Sequence, residues 1–187
     1  LMTLMGYRDY EVAGGSIRYA GRDITSLPIN ERARLGIGMM FQRPPTVKGV
    51  RVTDLARLAS EGKADLAALA EEMNVANLVE RDANAGFSGG EIKRSELFQL
   101  LAQGPELLLL DEPESGVDLE NILLVGQAIN KILEKDLRPH PDDASRRERH
   151  ERRHHSALLI THTGYILDYV RADRGVVMAG GRLICGG

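Results

Sequence analysis

The chain has 187 residues, with 24 lysines and arginines against 27 aspartates and glutamates and a formal charge of −3. That length holds one domain with a substantial core, and the near balance of charge carries no polyelectrolyte signal for nucleic acid. A single cysteine, Cys185, excludes an internal disulfide and suits a reducing compartment, while no apolar run approaches the roughly 20 residues that cross a bilayer, and the first residues do not resemble a secretory signal.

In chain order, residues 1–6 (Leu-Met-Thr-Leu-Met-Gly) read as the last turns of a helix stopped by glycine, with no beginning, so the chain is expected to be a fragment. Residues 16–24 predict two short strands about an Ala20-Gly21 turn. Thr25-Ser26-Leu27-Pro28 predicts a helix start, with a capping hydroxyl and an early proline, and Gly36 predicts its stop. Residues 37–41 predict a core strand that delivers Gln42; on its own, a glutamine there reads as a solvated loop residue. Leu55, Leu58 and Ala59, then Leu66, Leu69, Ala70 and Met73 recur at helical spacing on either side of Gly62, and are read as core.

Residues 87–91 (Phe-Ser-Gly-Gly-Glu) open a further helix that runs to Gln103. Ser88, Gly89 and Gly90 place a hydroxyl and approachable N–H groups at the positive end of a helix dipole, a chemistry that holds phosphate. Leu107 to Leu110 is wholly apolar between Gly104-Pro105 and Pro113, the pattern of a strand buried on both faces. It ends in Asp111 and Glu112, whose side chains alternation sends in different directions, one able to face a metal and the other a water. Ser115-Gly116-Val117-Asp118 follows, and residues 119–133 are amphipathic, with Asp118 and Glu120 suitably placed for the positive helix end.

Residues 138–155 are then almost devoid of apolar side chains and hold four of the five histidines. This stretch reads as a solvated insertion, with metal binding and a basic contact to RNA or an acidic partner left open. Residues 157–161 predict another apolar strand, which delivers His162; a histidine there is by itself a polar cap. A short helix over 164–170 and a closing hairpin over 176–185 complete the chain, with Cys185 as a small strand residue.

The order of glycine-led helix, apolar strand with two carboxylates and Ser-Gly-Val-Asp turn resembles the ATP-binding-cassette (ABC) ATPases. The resemblance implies an α/β P-loop NTPase core with a mostly parallel sheet over residues 1–42 and 97–187, an inserted helical signature subdomain over 43–96, and a charged insertion loop over 136–156. It makes Ser88, Gly89, Gly90 and Glu91 nucleotide-binding signature residues, and gives Asp111 and Gln42 to the magnesium of ATP. Glu112 becomes the residue that activates water, His162 the switch histidine on the γ-phosphate, and Ser115, Gly116 and Asp118 the loop that communicates across a head-to-tail dimer. The family's phosphate loop, G-x-x-x-x-G-K-[ST], does not occur in these 187 residues, nor do the N-terminal strands before it. The chain is therefore expected to be truncated, to bind ATP weakly and to hydrolyse little.

Within the family, Gly6 with Asp9-Tyr10-Glu11-Val12, Phe41-Gln42-Arg43-Pro44-Pro45, and Phe87-Ser88-Gly89-Gly90-Glu91-Ile92-Lys93-Arg94 resemble the SufC branch, the cytoplasmic ATPases of iron–sulfur cluster assembly. That implies a SufB/SufD-type scaffold as partner, with the cluster ligands on the scaffold, no direct membrane insertion and no nucleic acid. Two other classes stay open: the ATPase subunit of a transporter with a membrane permease, and a non-catalytic interaction module.

Overall fold

A computed structural model describes residues 1–133 and 155–186. Helix α1 (Met2–Met5) ends at Gly6, whose φ of 85° is a left-handed stop. Strands β1 (Arg18–Tyr19) and β2 (Arg22–Asp23) pair antiparallel, and helix α2 (Ile29–Arg34) follows. The capping hydroxyl expected for α2 is absent from its start: the N-cap is Pro28, with no side-chain cap, and Thr25 Oγ1 instead accepts the Ile17 N–H at 2.8 Å. Proline at the N-cap leaves no hydroxyl in reach of the first turn. Arg32, 2 % exposed, takes over the fastening. Its guanidinium donates to the carbonyls of Thr3, Leu4, Thr25 and Leu27, tying the end of α1 to the start of α2.

Strand β3 (Ile37–Met40) is fully buried, and β4 (Val47–Arg51) runs directly into α3 (Val52–Ala59). Helix α4 (Leu66–Glu72), strand β5 (Asp82–Ala83) and helix α5 (Gly89–Gln103) follow. β4 and β5 pair antiparallel, a ladder the helical periodicity of this region did not announce. The pairing is short and irregular in register, too brief for an alternation signal. Of the leucines read as core here, Leu58 lies on the exposed face of α3. Strand β6 (Leu107–Asp111), helix α6 (Leu119–Ile132), strand β7 (Ser156–Ile160), a 3-10 turn (Tyr165–Asp168) in place of the short helix, and the hairpin β8 (Val176–Ala179) with β9 (Arg182–Gly186) complete the order. The insertion read over 136–156 lies outside the described residues except for His155 and Ser156, and Ser156 already belongs to β7.

The central sheet is parallel, in the order β3-β6-β7, with Ile37 opposite Leu107 and Leu107 opposite Ser156. The apolar run of β6 earns its central position: Leu108, Leu109 and Leu110 are all fully buried. β7 departs from the expected core strand. It lies at the sheet's edge, Leu158 and Ile160 are 45 % and 41 % exposed, and the large apolar side chains of the β8–β9 hairpin are exposed as well, as is Cys185. Edge position alone is not the cause, since β3 at the other edge is buried: helices α1, α2 and α5 pack on β3, whereas among the described residues β7 packs mainly on β6.

Helix α5 lies at the centre, packed against α3, α4, α6 and β3. The approach to β3 is close enough that a Cβ on Gly38 would stand 2.8 Å from both Leu100 and Pro105. α6 buries Ile122, Val125, Ile129 and Ile132 at helical spacing against it. Burial on several sides of α5 takes in Lys93, Ser95 and Glu96 as well as Leu97 and Phe98.

Candidate functional site

Because the three sheet strands are parallel, their C-terminal ends share one edge, the place where open α/β sheets bind ligands. Gln42 follows β3, Asp111 ends β6, Glu112 comes next, and His162 follows β7. Gln42 Nε2 donates to Glu112 Oε2 at 2.5 Å, and His162 Nδ1 stands 3.1 Å from Glu112 Oε1. Both oxygens of one carboxylate are thus engaged by residues from the other two strand ends. The Glu112 side chain is 18 % exposed, whereas that of His162 is 66 % exposed.

Strand alternation does not set the direction of Glu112, although the sequence led one to expect it. The strand stops at Asp111, and Glu112 has a φ of 45°, the left-handed region. A non-glycine residue there costs roughly 1–2 kcal/mol, held in place by neighbouring structure. The Glu112 N–H donating to the Ile160 carbonyl at 3.0 Å is part of that hold.

Three residues that sequence reasoning missed buttress this cluster. Glu114 is 5 % exposed, and its Oε1 accepts hydrogen bonds from the hydroxyls of Thr161 and Thr163, the latter at 2.9 Å. The two threonines flank His162, so its loop is fastened to the residue two beyond Glu112. Thr161 Oγ1 in turn accepts the Gly164 N–H at 2.9 Å. Thr-His-Thr and Asp-Glu-Pro-Glu are visible as words in the sequence, but their pairing across 47 residues and more is a tertiary event.

The predicted signature residues lie together at the start of α5. Ser88 is the N-cap, and a reciprocal capping box joins it to Glu91: Ser88 Oγ accepts the Glu91 N–H at 3.3 Å, and Glu91 Oε2 accepts the Ser88 N–H at 2.8 Å. That backbone N–H holds the Glu91 carboxyl below its ordinary pKa. The cap uses a lone pair of Ser88 Oγ and leaves the hydroxyl proton out of the bond.

Gly89 and Gly90 are also needed for packing. A Cβ on Gly89 would lie 1.9 Å from the Gly116 carbonyl oxygen, and one on Gly90 would lie 2.3 Å from Asn121 Cγ. Residues 88–91 and the Ser115, Gly116, Asp118 loop therefore form one closely packed unit. Asp118 caps α6 by accepting the Asn121 N–H at 3.0 Å, which lowers its carboxyl pKa. The predicted residues thus fall into two groups, one at the strand ends and one at the start of α5.

The Asp111 carboxylate and the Gln42 amide oxygen are hard oxygen donors of the kind Mg²⁺ takes. Among the described residues, no three or more His, Cys, Asp or Glu side chains stand close enough to hold a metal ion by themselves. The donor set fits a cation that completes its shell with phosphate oxygens and water. No helix of the described residues is long and apolar enough to cross a membrane.

Comparison with known proteins agrees with this architecture. The family model described as ABC transporter matches residues 1–115. The probable ATP-dependent transporter ycf16 of Cyanophora paradoxa is 33 % identical over 197 residues, covering 97 % of this chain and 69 % of its own. The probable ATP-dependent transporter slr0075 of Synechocystis is 34 % identical over 202 residues, covering 99 % and 72 %. ABC transporter I family member 6, chloroplastic, of Arabidopsis thaliana is 32 % identical over 198 residues, covering 97 % and 53 %. A nucleotide-free ATP-binding cassette from an ABC transporter superposes with a TM-score of 0.74 over the whole chain and 73 % of its own, at 20 % identity, and thereby supports the fold. Sequence and architecture converge on one conclusion: the chain belongs to the ABC transporter family as an ATP-binding cassette with the α/β fold of P-loop NTPases.

Proposed function

We propose that the chain supplies the signature, water-activating and switch residues of an ATP-hydrolysing cassette of the SufC type, working in the cytoplasm with a SufB/SufD-type scaffold. The observation that carries hydrolysis is the grip of Gln42 and His162 on the two oxygens of Glu112 at the sheet's ligand-binding edge. Glu112 takes the proton of the attacking water as that oxygen bonds to the γ-phosphorus and the bond to the bridging oxygen of ADP breaks. His162 orients the γ-phosphate and Gln42 aims the Glu112 carboxylate. With Gln42 Nε2 turned to Glu112, its Oε1 is the oxygen that would join Asp111 in holding Mg²⁺, which supplies neutralisation of phosphate charge. In a head-to-tail dimer, Ser88, Gly89 and Gly90 of one copy meet the γ-phosphate bound by the other, and Ser115, Gly116 and Asp118 carry the message between copies. The division into a core of residues 1–42 and 97–187 and a signature subdomain of 43–96 belongs to the same reading, although its second boundary falls within the continuous helix α5.

Glu112→Gln tests this reading. The variant keeps the Gln42 and His162 contacts sterically and removes the base, so hydrolysis by the complete gene product should fall by about 10²–10⁴-fold with ATP binding retained. Hydrolysis within a factor of a few of the parent would remove Glu112 from the mechanism. The 187 residues alone, which contain no phosphate loop, are expected to turn over ATP slowly. The names of the relatives favour a second reading, an ATPase subunit of a transporter. Affinity purification separates the two: a soluble scaffold co-purifies in the first case and a membrane permease in the second.

A further inference from the structure

The loop that carries Gln42 is fastened to a helix. Lys93 and Glu96 stand one turn apart on α5 and are 2 % and 7 % exposed. Lys93 Nζ donates to the Phe41 carbonyl at 2.5 Å and to the Gln42 carbonyl at 2.9 Å. Glu96 Oε1 accepts the Phe41 N–H at 3.1 Å, and Glu96 Oε2 lies 3.8 Å from Lys93 Nζ. A buried ammonium is tolerated only when its donors are met, and a leucine or methionine would fill the same space at no such cost. Two of the three lysine protons here go to consecutive carbonyls of one loop, and the neighbouring carboxylate takes the Phe41 N–H just before them.

We infer that Lys93 and Glu96 are positioning residues which clasp the Phe41–Gln42 backbone to α5 and thereby set where the Gln42 amide stands. The inference rests on the reading of Gln42 given above for its consequence, and on geometry alone for the clasp. A helix is stiff along its axis, and Ser88 precedes Lys93 by five residues, about 7.5 Å of rise. The capped start of α5 and the clasp therefore move as one body, so an anion that displaces the signature end displaces Gln42 relative to Glu112. The other charged groups facing the ammonium are Asp111 and Glu114, from the end of β6 and the turn after it. Burial raises the Glu96 pKa to about 7, in keeping with an enclosed clasp.

The test is the side-chain NH₂ resonance pair of Gln42 in the ¹⁵N-labelled chain, assigned by its loss in Gln42→Ala. Lys93→Met should move that pair toward the position of a solvated glutamine. Leu97→Ala, an equally buried change on the same helix, should leave it in place. In the complete gene product, Lys93→Met should raise half-saturating Mg²⁺ by about 10–100-fold, the effect of losing a residue that orients a metal ligand. If Lys93→Met does not fold, Glu96→Leu, which removes the acceptor for the Phe41 N–H, carries the same measurement. An unmoved Gln42 pair in the folded variant overturns the clasp, as does an equal movement in Leu97→Ala. A moved pair with unchanged Mg²⁺ dependence upholds the clasp and removes Gln42 from the metal site of the proposed function.

Discussion

Glu96 should leave a signature in the pH dependence of stability. Its carboxyl is buried beneath the Gln42 loop, and desolvation lifts its pKa from the ordinary 4.5 to about 7 against the partial opposition of Lys93. A carboxyl with a raised folded-state pKa binds its proton more tightly when folded, so its contribution is fully present below the unfolded value. It is lost as pH rises through the folded value. Between pH 5 and pH 8, this rise gives a loss on the order of a few kcal/mol. Urea unfolding of the parent and of Glu96→Gln at intervals across that range reads the difference directly, because other titrating groups are common to both proteins. The parent should lose stability relative to the variant as pH rises, with the steepest change between the unfolded value of 4.5 and the folded value of about 7, and a plateau above it. Parallel curves for the two proteins would refute a buried Glu96 with a raised pKa. A parent that gained on the variant with rising pH would show that the ionised form is the one the fold favours.

Three further outcomes follow from the packing and the hydrogen bonds. Gly89→Ala would place a methyl 1.9 Å from the Gly116 carbonyl oxygen, and the backbone shift it forces should cost about 1–3 kcal/mol in a urea titration. Ser88→Asp keeps an N-cap acceptor at the start of α5, so stability should stay within about 0.5 kcal/mol, yet the added charge should abolish ATP-dependent dimers seen by light scattering of the complete gene product. Glu114→Ala strips the common acceptor from Thr161 and Thr163. It should cost about 1–3 kcal/mol in chemical denaturation and reduce hydrolysis by loosening the loop of His162, whereas Thr163→Val, which removes one of the two hydroxyls, should cost less.

Local rules made much of the fold legible. The central burial of β6 followed from four consecutive leucines between glycine-proline and proline, because only a strand covered on both faces tolerates that run. The start of α5 followed from Ser88, Gly89 and Gly90 ahead of a helix-like run, while the capping box of Ser88 with Glu91 came from the structure. The sequence also set Asp118 at the positive end of α6, where the structure makes it the N-cap. Asp111 and Glu112 could be singled out because they end an apolar run, whereas Gln42 and His162, which read by themselves as solvated loop and polar cap, are marked by the family resemblance.

Other features needed the folded chain. The left-handed backbone of Glu112 has no sequence signal, because a glutamate carries no preference for positive φ and the turn is imposed by its neighbours. The exposure of β7 also escaped prediction, since Ala157 to Ile160 reads as an apolar run whether or not helices cover the strand. The same limit hid Arg32, Lys93, Glu96 and Glu114. Charged residues on predicted helices and turns are assigned to solvent by default, and only the packing of distant segments shows that four carbonyls, one loop and two threonines await them. Residue order alone determined the family motifs, the apolar strand and the caps, because these depend on neighbours within a few positions. Tertiary structure alone decided which charges are buried and what they hold, because burial depends on segments that meet from tens of residues apart.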